Sequence, residues 1–310
     1  MDAPSPSREP VLDLVIVVPS FNQRSRLAAC LDSVAEELRR TDLVACTVVV
    51  DNASWDGSAE LVARAYPAVS LLENEVNQGF SVACNQGGRL HPARYVLVLN
   101  NDAQLEAGSL QALVEMADTR PRLAAVTGRL LAPDRRERFP VSHVWQRWLP
   151  PPRRPVTLSW VPGTATLFRR EALDAVGWFD EDFFFYHEDL DLSWRLRRAG
   201  WELWYTPAAR IRHHEGGSSA LIRDRLVVEA YRGAMLLAGK HHGRMGYLVT
   251  RALLRFDVRM RLAALRLRRR WCEPNQAMAA RLLVLEAARE VLRLGLAPRH
   301  PVGVAASPEA

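Results

Sequence analysis

Val15-Ile16-Val17-Val18-Pro19-Ser20-Phe21-Asn22 is a β-branched run that ends abruptly in a polar turn. The run has no apolar-polar alternation, which is the pattern of a parallel strand buried on both faces, and Pro19 to Asn22 stops it. A helix is expected immediately afterwards, because Leu27, Leu31, Val34 and Leu38 recur on one helical face. The same kind of strand appears twice more. Thr47-Val48-Val49-Val50 ends in Asp51-Asn52-Ala53-Ser54-Trp55-Asp56-Gly57-Ser58, and Tyr95-Val96-Leu97-Val98-Leu99 ends in Asn100-Asn101-Asp102. In open α/β sheets the ligand crevice lies beyond the carboxyl ends of the strands, so Asp51 and Asp102 should reach one rim although they are far apart in sequence. Asp and Asn also form turns and cap helices for structural reasons alone. Asp56, placed before a helix expected over 59–66, suits that structural role. Asp51 and Asp102 directly follow strands and are read as site residues.

A second stretch carries candidate chemistry: Phe185-Tyr186-His187-Glu188-Asp189-Leu190-Asp191-Leu192-Ser193-Trp194-Arg195-Leu196-Arg197-Arg198-Ala199-Gly200-Trp201. Leu192 and Leu196 share a helical face with Ala199 behind them, the arginines favour the C-terminal half, and Gly200 is placed to end the helix. Glu188 and Asp189 therefore open the first turn. Acidic residues there complement the helix N-terminus, so the pair has a structural reading beside a catalytic one.

The order of these motifs brings a resemblance. Val-Val-Pro-Ser-Phe-Asn is followed by Val-Asp-Asn-Ala-Ser-Trp-Asp-Gly-Ser, then Asn77-Gln78-Gly79-Phe80 with Asn85-Gln86-Gly87, then Leu-Asn-Asn-Asp. Gly163-Thr164-Ala165 with Phe168-Arg169-Arg170-Glu171 comes next, then Gly177-Trp178-Phe179-Asp180-Glu181 and the Glu-Asp helix. This series, over about residues 12 to 220, resembles the family-2 inverting glycosyltransferases, in their rhamnosyltransferase-like branch of bacterial cell-surface polysaccharide synthesis. Each motif is weak alone; their common order is specific.

The resemblance implies a GT-A fold: an α/β domain with a mixed, mostly parallel central sheet flanked by helices. The catalytic domain would span residues 11–220, with a nucleotide-sugar half over 11–105 and an acceptor half over 106–220. It further implies that Asp51 contacts the nucleotide base, that Pro19, Ser20 and Asn22 line the same pocket, and that Asn77, Gly79 and Asn101 belong to the donor site. Asp102 would take the place of the last Asp of the family's Asp-x-Asp motif, holding a divalent cation, Mg2+ or Mn2+, on the donor diphosphate. Asn100 departs from the pattern, since an Asp often stands there and an amide oxygen is a weaker ligand for a hard cation. His213, just past the strand Ala208 to Arg212 and before Gly216-Gly217-Ser218-Ser219, would be the further ligand, with His214 as its alternative. Gly163, Thr164, Trp178 and Asp180 would shape the acceptor and sugar pocket, although Trp178 replaces a Gly common in this part of the family.

The reaction asks for such groups. A sugar hydroxyl is a poor nucleophile at neutral pH, so a carboxylate must take its proton as the new bond forms, and Asp189 suits that role with Glu188 orienting it. The departing nucleoside diphosphate needs a cation or basic side chains. With one base and no second carboxylate assigned as nucleophile, a single displacement with inversion is expected. Asp191 points elsewhere on the helix and is expected to support the site or pair with an arginine.

Composition sets bounds. A chain of 310 residues, 48% hydrophobic, can bury one large α/β core and carry an extension. Cys30, Cys46, Cys84 and Cys272 form no Cys-x-x-Cys or zinc spacing, which suits a reduced cytoplasmic setting. Residues 1–10 are polar, contain proline and lack the apolar core of a signal peptide, so they are read as a disordered tail.

The net charge of +6 is unevenly placed. Residues 221–310 hold 17 Arg or Lys against 7 Asp or Glu, an excess of +10, which leaves −4 on residues 1–220. This part reads as a basic helical extension with helices over 226–238, 245–271 and 275–294. Arginines 251, 255, 259, 266 and 270 interleave with Leu253, Leu254, Phe256, Met260, Leu262 and Leu265. No run of 18 uncharged apolar residues occurs, so no spanning helix is expected. Two readings of the apolar face stand open: it lies on the anionic inner surface of a cell membrane, which would suit a lipid-linked acceptor, or it packs on the catalytic domain or a second subunit.

Phe139 to Pro155, with Trp145, Trp148 and Pro150-Pro151-Pro152, lacks periodicity and reads as a loop over the site. Its Trp rings would either stack on a sugar or simply pack. Other classes fit less well. A nucleotidyltransferase would need a glycine-rich basic loop near its first strand and a dehydrogenase a Gly-x-Gly-x-x-Gly, and neither is present. Nor does the charge distribution point to nucleic acid. A non-catalytic sugar-nucleotide-binding or scaffold protein of the same fold is the alternative that Asn100 and Trp178 keep in view. The partners expected for the enzyme are a nucleotide-sugar donor and a glycan or lipid-linked acceptor, with a homo-oligomer through the C-terminal helices if their faces pair.

Overall fold

A computed structural model describes residues 12–132, 137–138, 151–214, 223–268 and 276–295. The polar tail, most of the 139–155 loop with Trp145 and Trp148, the Gly216 to Ser219 turn and Cys272 lie outside the described residues. The opening strand, β1 (Leu12–Ser20), leads through the Pro19 to Asn22 turn into α1 (Arg24–Leu38). Two further parallel units follow: β2 (Ala45–Asp51) with α2 (Ser58–Ala65), and β3 (Ser70–Glu73) with α3 (Phe80–Arg89). β4 (Ala93–Leu99) then pairs in parallel with β1 on the side opposite β2.

The continuous apolar run of β1 has its explanation in the layers. Leu14, Ile16 and Val18 enter one core with Leu27, Leu31 and Leu97, while Val15 and Val17 enter a second core with Val48, Val96 and Phe168. Successive side chains point to opposite faces, and both faces are covered, so no polar position is tolerated. Leu14 to Val18 are each 0% exposed.

The second half of the sheet is mixed. After β5 (Ala103–Leu105), α4 (Ser109–Asp118), β6 (Leu123–Leu131) and the short β7 (Glu137–Arg138) and β8 (Val156–Thr157), the chain inserts β9 (Ala165–Arg169) antiparallel between β4 and β6. α5 (Arg170–Val176) and α6 (Glu188–Arg198) follow, and β10 (Glu202–His213) lies parallel to β6 and antiparallel to β5. The resulting order is β3-β2-β1-β4-β9-β6-β10-β5. α6 ends where Gly200 predicts, with Arg198 its last residue and Gly200 at φ 87°.

The extension folds as α7 (Arg223–Arg268) and α8 (Gln276–Leu294). α7 breaks at Gly243, whose φ of 65° and ψ of −163° are not helical, so it forms two arms. The arms and α8 share a small core of Met235, Val258, Leu262, Leu285, Ala288 and Leu292. The first arm is tied to the α/β domain: His187 Nε2 lies 3.1 Å from the Ala230 carbonyl, and His241 Nε2 lies 2.7 Å from Asp191 Oδ1. Of the two readings of the extension, packing on the domain therefore holds for this arm. Among the described residues no helix is long and apolar enough to cross a membrane.

Candidate active site

A cleft of about 360 Å3 opens beyond the carboxyl ends of β1, β2 and β4. On one side of it stand Pro19 and Ser20 from the first turn, Asn77 and Gly79 from the turn before α3, and Asn101 after β4. Asn101 Nδ2 donates to Ser20 Oγ at 3.2 Å, so the turns after β1 and β4 are locked together. Gly79 sits at φ 88°, and a Cβ there would lie 2.6 Å from the Phe184 carbonyl oxygen. Only glycine allows the turn to meet the segment that leads into α6.

Asn22 and Asp51 are buried but do not line the cleft; they brace its wall. Asn22 Oδ1 accepts from the Trp55 amide at 2.8 Å, and Asp51 Oδ2 accepts from the Ser54 amide at 2.8 Å. Burial pushes the Asp51 carboxyl above its ordinary range against the pull of Ser54, and its buried Oδ1 has no hydrogen bond. Asp56 has the structural role expected of it. Its carboxylate accepts from the amides of Arg24 and Ser58, joining the starts of α1 and α2.

Asp102 and His213 meet because β10 pairs antiparallel with β5, setting His213 opposite Ala103. His213 Nε2 lies 3.1 Å from Asp102 Oδ1. That approach lacks hydrogen-bond alignment, so the buried Oδ1 keeps no hydrogen bond. His214 instead gives its backbone amide to the Asp102 carbonyl at 3.0 Å. A buried carboxylate oxygen beside an imidazole nitrogen fits a divalent cation such as Mn2+. Among the described residues no group of three or more His, Cys, Asp or Glu side chains is placed to hold a metal, so Asp102 and His213 are two candidate ligands without a third such side chain.

Across the cleft, β9 runs back along β4, which puts the Thr164 carbonyl 2.8 Å from the Asn100 amide and Gly163 at the mouth of α6. The Gly163 amide donates to Asp189 Oδ2 at 3.3 Å, and the Leu190 amide to Oδ1 at 2.8 Å. Asp189 keeps part of its side chain open to the cleft, yet protein surrounds its carboxyl. Burial therefore pushes it up to about 6, against the pull of those amides. Glu188 is buried at the same helix start and lines the cleft with it. Tyr186 and His187 precede them in the left-handed region, at φ 69° and 71°, an unusual pair for non-glycine residues.

Two expected pocket residues are not brought to the cleft. Trp178 is 3% exposed and lies against Gly88 of α3, its Nε1 donating to Asp174 at 2.7 Å with Arg89 and Arg170 over its ring. The turn after α5 rotates it inward, where so large an apolar ring is best buried. Asp180 faces the extension and pairs with Lys240 Nζ at 2.6 Å. Asp191 pairs with Arg195 as expected, at 2.7 Å, and also with His241.

Two residues were missed. Arg26 donates to the His214 carbonyl at 3.0 Å and stands 3.9 Å from Asp102 Oδ2; its only signal is its position just past the first turn. Asn52 donates to the Gly79 carbonyl and accepts from Asn74 and Gln78, so it shapes the 74–79 turn. Its position directly after Asp51 was the available sign.

Comparisons with known proteins bear on the family and the fold. The profile described as Glycosyl transferase family 2 matches residues 15–177. The chain is 31% identical to an N-acetylglucosaminyl-diphospho-decaprenol L-rhamnosyltransferase of Mycobacterium tuberculosis, over 72% of this chain and 82% of that one. It is 26% identical to a poly-beta-1,6-N-acetyl-D-glucosamine synthase of Staphylococcus epidermidis, over 57% of this chain and 48% of that one. In fold it is similar to a mannosyltransferase from Pyrobaculum calidifontis in complex with GDP-Man and Mn2+, with a TM-score of 0.55, 18% identity, and coverage of 94% of this chain and 89% of that one. The chain belongs to glycosyl transferase family 2 and is a glycosyltransferase with the GT-A fold.

Proposed function

We propose that this enzyme moves a sugar from a nucleoside-diphosphate donor, dTDP-rhamnose or a UDP-sugar, to a hydroxyl of a glycan or lipid-linked acceptor in cell-surface polysaccharide synthesis. The observation that carries this reading is Asp189, seated on the Gly163 amide at the mouth of α6 and facing the same cleft as Asp102 and His213. The M. tuberculosis relative, whose name joins L-rhamnose to a diphospho-decaprenol acceptor, supports the choice of donor and acceptor.

In this reading the nucleotide lies over Pro19, Ser20, Asn77, Gly79 and Asn101. Asp51 and Asn22 stand behind that wall and hold its turns in shape. Asp102 and His213 hold the divalent cation, which when bound supplies positive charge to the departing diphosphate. Asp189 takes the proton of the acceptor hydroxyl as its oxygen bonds to the anomeric carbon and the carbon–diphosphate bond breaks. A raised carboxyl suits that task, because its proton affinity is closer to that of the group it serves. One base acting from one face gives inversion.

The test incubates the purified chain with Mn2+, dTDP-rhamnose or UDP-sugars, and a polyprenyl-diphosphate-linked N-acetylglucosamine, and reads product mass and anomeric configuration. An inverted glycoside from one donor is expected. Donor hydrolysis without transfer would reject the acceptor class, and a retained configuration would reject the single displacement.

A further inference from the structure

The second arm of α7 is apolar on two opposite faces. Val258 and Leu262 point inward, 1% and 3% exposed, and fill the core shared with α8. Met245, Leu248 and Val249 point outward, followed along the same face by Leu253, Phe256, Met260 and Leu267. Every one of these seven is between 43% and 70% exposed. Met245, Val249, Leu253, Phe256, Met260 and Leu267 follow at steps of four, four, three, four and seven, with Leu248 at the edge, and form one stripe about 33 Å long at 1.5 Å per residue. Among the described residues nothing covers it.

Contiguous exposed apolar surface of this extent marks an interaction site. Its charge setting identifies the partner. Residues 244–268 hold seven arginines and a single acid, Asp257, and that acid is already engaged by Tyr231 and Arg261. Arg255, Arg259 and Arg266 lie along one flank of the stripe, spaced by four and seven, where their stems can follow apolar surface while their guanidinium groups reach outward. A second copy of the chain would bring another arginine row to this flank, and no acidic row on the arm is there to receive it. Anionic lipid headgroups above an acyl layer match both features.

We infer that the outer stripe of the second α7 arm docks in the interface of an anionic phospholipid bilayer, lying in its plane. A groove of about 460 Å3 joins this arm to the catalytic cleft. Leu254 lines it from the docking arm, and it shares Tyr186 and Leu226 with the cleft. The first arm holds the docked helix to the start of α6 through His187 and His241, so docking fixes the cleft relative to the membrane. The inference goes beyond the transfer reaction and stands or falls independently of which acceptor is used.

The test is co-sedimentation of the full chain with phosphatidylcholine vesicles, with and without phosphatidylglycerol. Wild type should partition onto the anionic vesicles at low salt and less as salt rises. Leu253→Glu with Phe256→Glu should lower partitioning at least tenfold. Arg255→Gln with Arg259→Gln should lower it about fivefold per arginine on anionic vesicles. Donor binding should be unchanged in both variants, which reports that they fold. A wild-type chain that stays in the supernatant, or variants that bind like wild type, would overturn the inference. So would a wild-type dimer that Leu253→Glu with Phe256→Glu converts to a monomer without any vesicle binding, which would assign the stripe to a second copy.

Discussion

At the scale of single residues, Asp189 couples function to stability. Its native carboxyl stands at about 6, against 3.8 for an unburied one, so between those values the native state binds more protons than the unfolded chain. Stability from this group is present at low pH, falls as pH rises through that interval, and is lost above it. Asp189→Asn should therefore change Tm more favourably at pH 8 than at pH 4, read by thermal unfolding at both values. The same substitution should lower turnover roughly 10²-fold or more with donor binding retained, and wild-type kcat/KM should climb with pH to a plateau above about 6. Unchanged turnover would move the base elsewhere, with Glu188→Gln as the next variant. Asp102→Ala and His213→Ala should weaken donor binding in Mn2+ and have little effect once EDTA is present, measured by titration calorimetry with and without metal. An equal loss with EDTA would mean that both residues touch the donor directly.

At the scale of elements, the site depends on turns that only certain backbones can make. Gly79 and Gly108 both have positive φ, at 88° and 81°, but Gly108 at ψ 2° is left-handed helical while Gly79 at ψ 176° lies where essentially only glycine goes, and only Gly79 is crowded, by the Phe184 backbone. Gly108→Ala should cost about 1 kcal/mol, the penalty of conformation alone. Gly79→Ala adds an overlap with backbone that cannot rotate away, and should cost more than about 3 kcal/mol or shift the segment before α6. Urea unfolding of the two variants measures the combined cost of backbone and overlap at position 79 against backbone alone at 108; equal losses would show that neither the 79–184 contact nor the extended positive-φ backbone is demanding. α6 itself is pinned by Asp191, which is 1% exposed and answered by both Arg195 and His241.

At the scale of the whole molecule, the extension belongs to the architecture of the site. A chain ended at Ser219 would lose His241 from Asp191, Ala230 from His187 and Lys240 from Asp180, leaving a buried carboxylate with one partner fewer. Such a chain should recover poorly in soluble form and bind donor more weakly than the full chain, as measured by expression yield and thermal shift; a soluble, donor-binding product would show the packing to be dispensable. What the sequence by itself determined is local. The β1, β2 and β4 runs, the polar residues that follow them and the acidic start of α6 were legible, because strand burial and helix periodicity act over a few neighbours. The strand-end argument brought Asp102 to the cleft but not Asp51, which is buried behind the wall, and Asp189's place there was implied by the family resemblance. Only tertiary structure set His213 rather than His214 with its side chain beside Asp102, since the β10–β5 register chooses which side chain faces it. It also turned Trp178 and Asp180 away from the cleft, because which side of a turn is buried depends on elements distant in the chain, here α3 and α7. The two-faced arm of α7 shows the same division: its apolar residues are plain in the sequence, but which face meets α8 and which stays bare follows from the fold-back at Gly243.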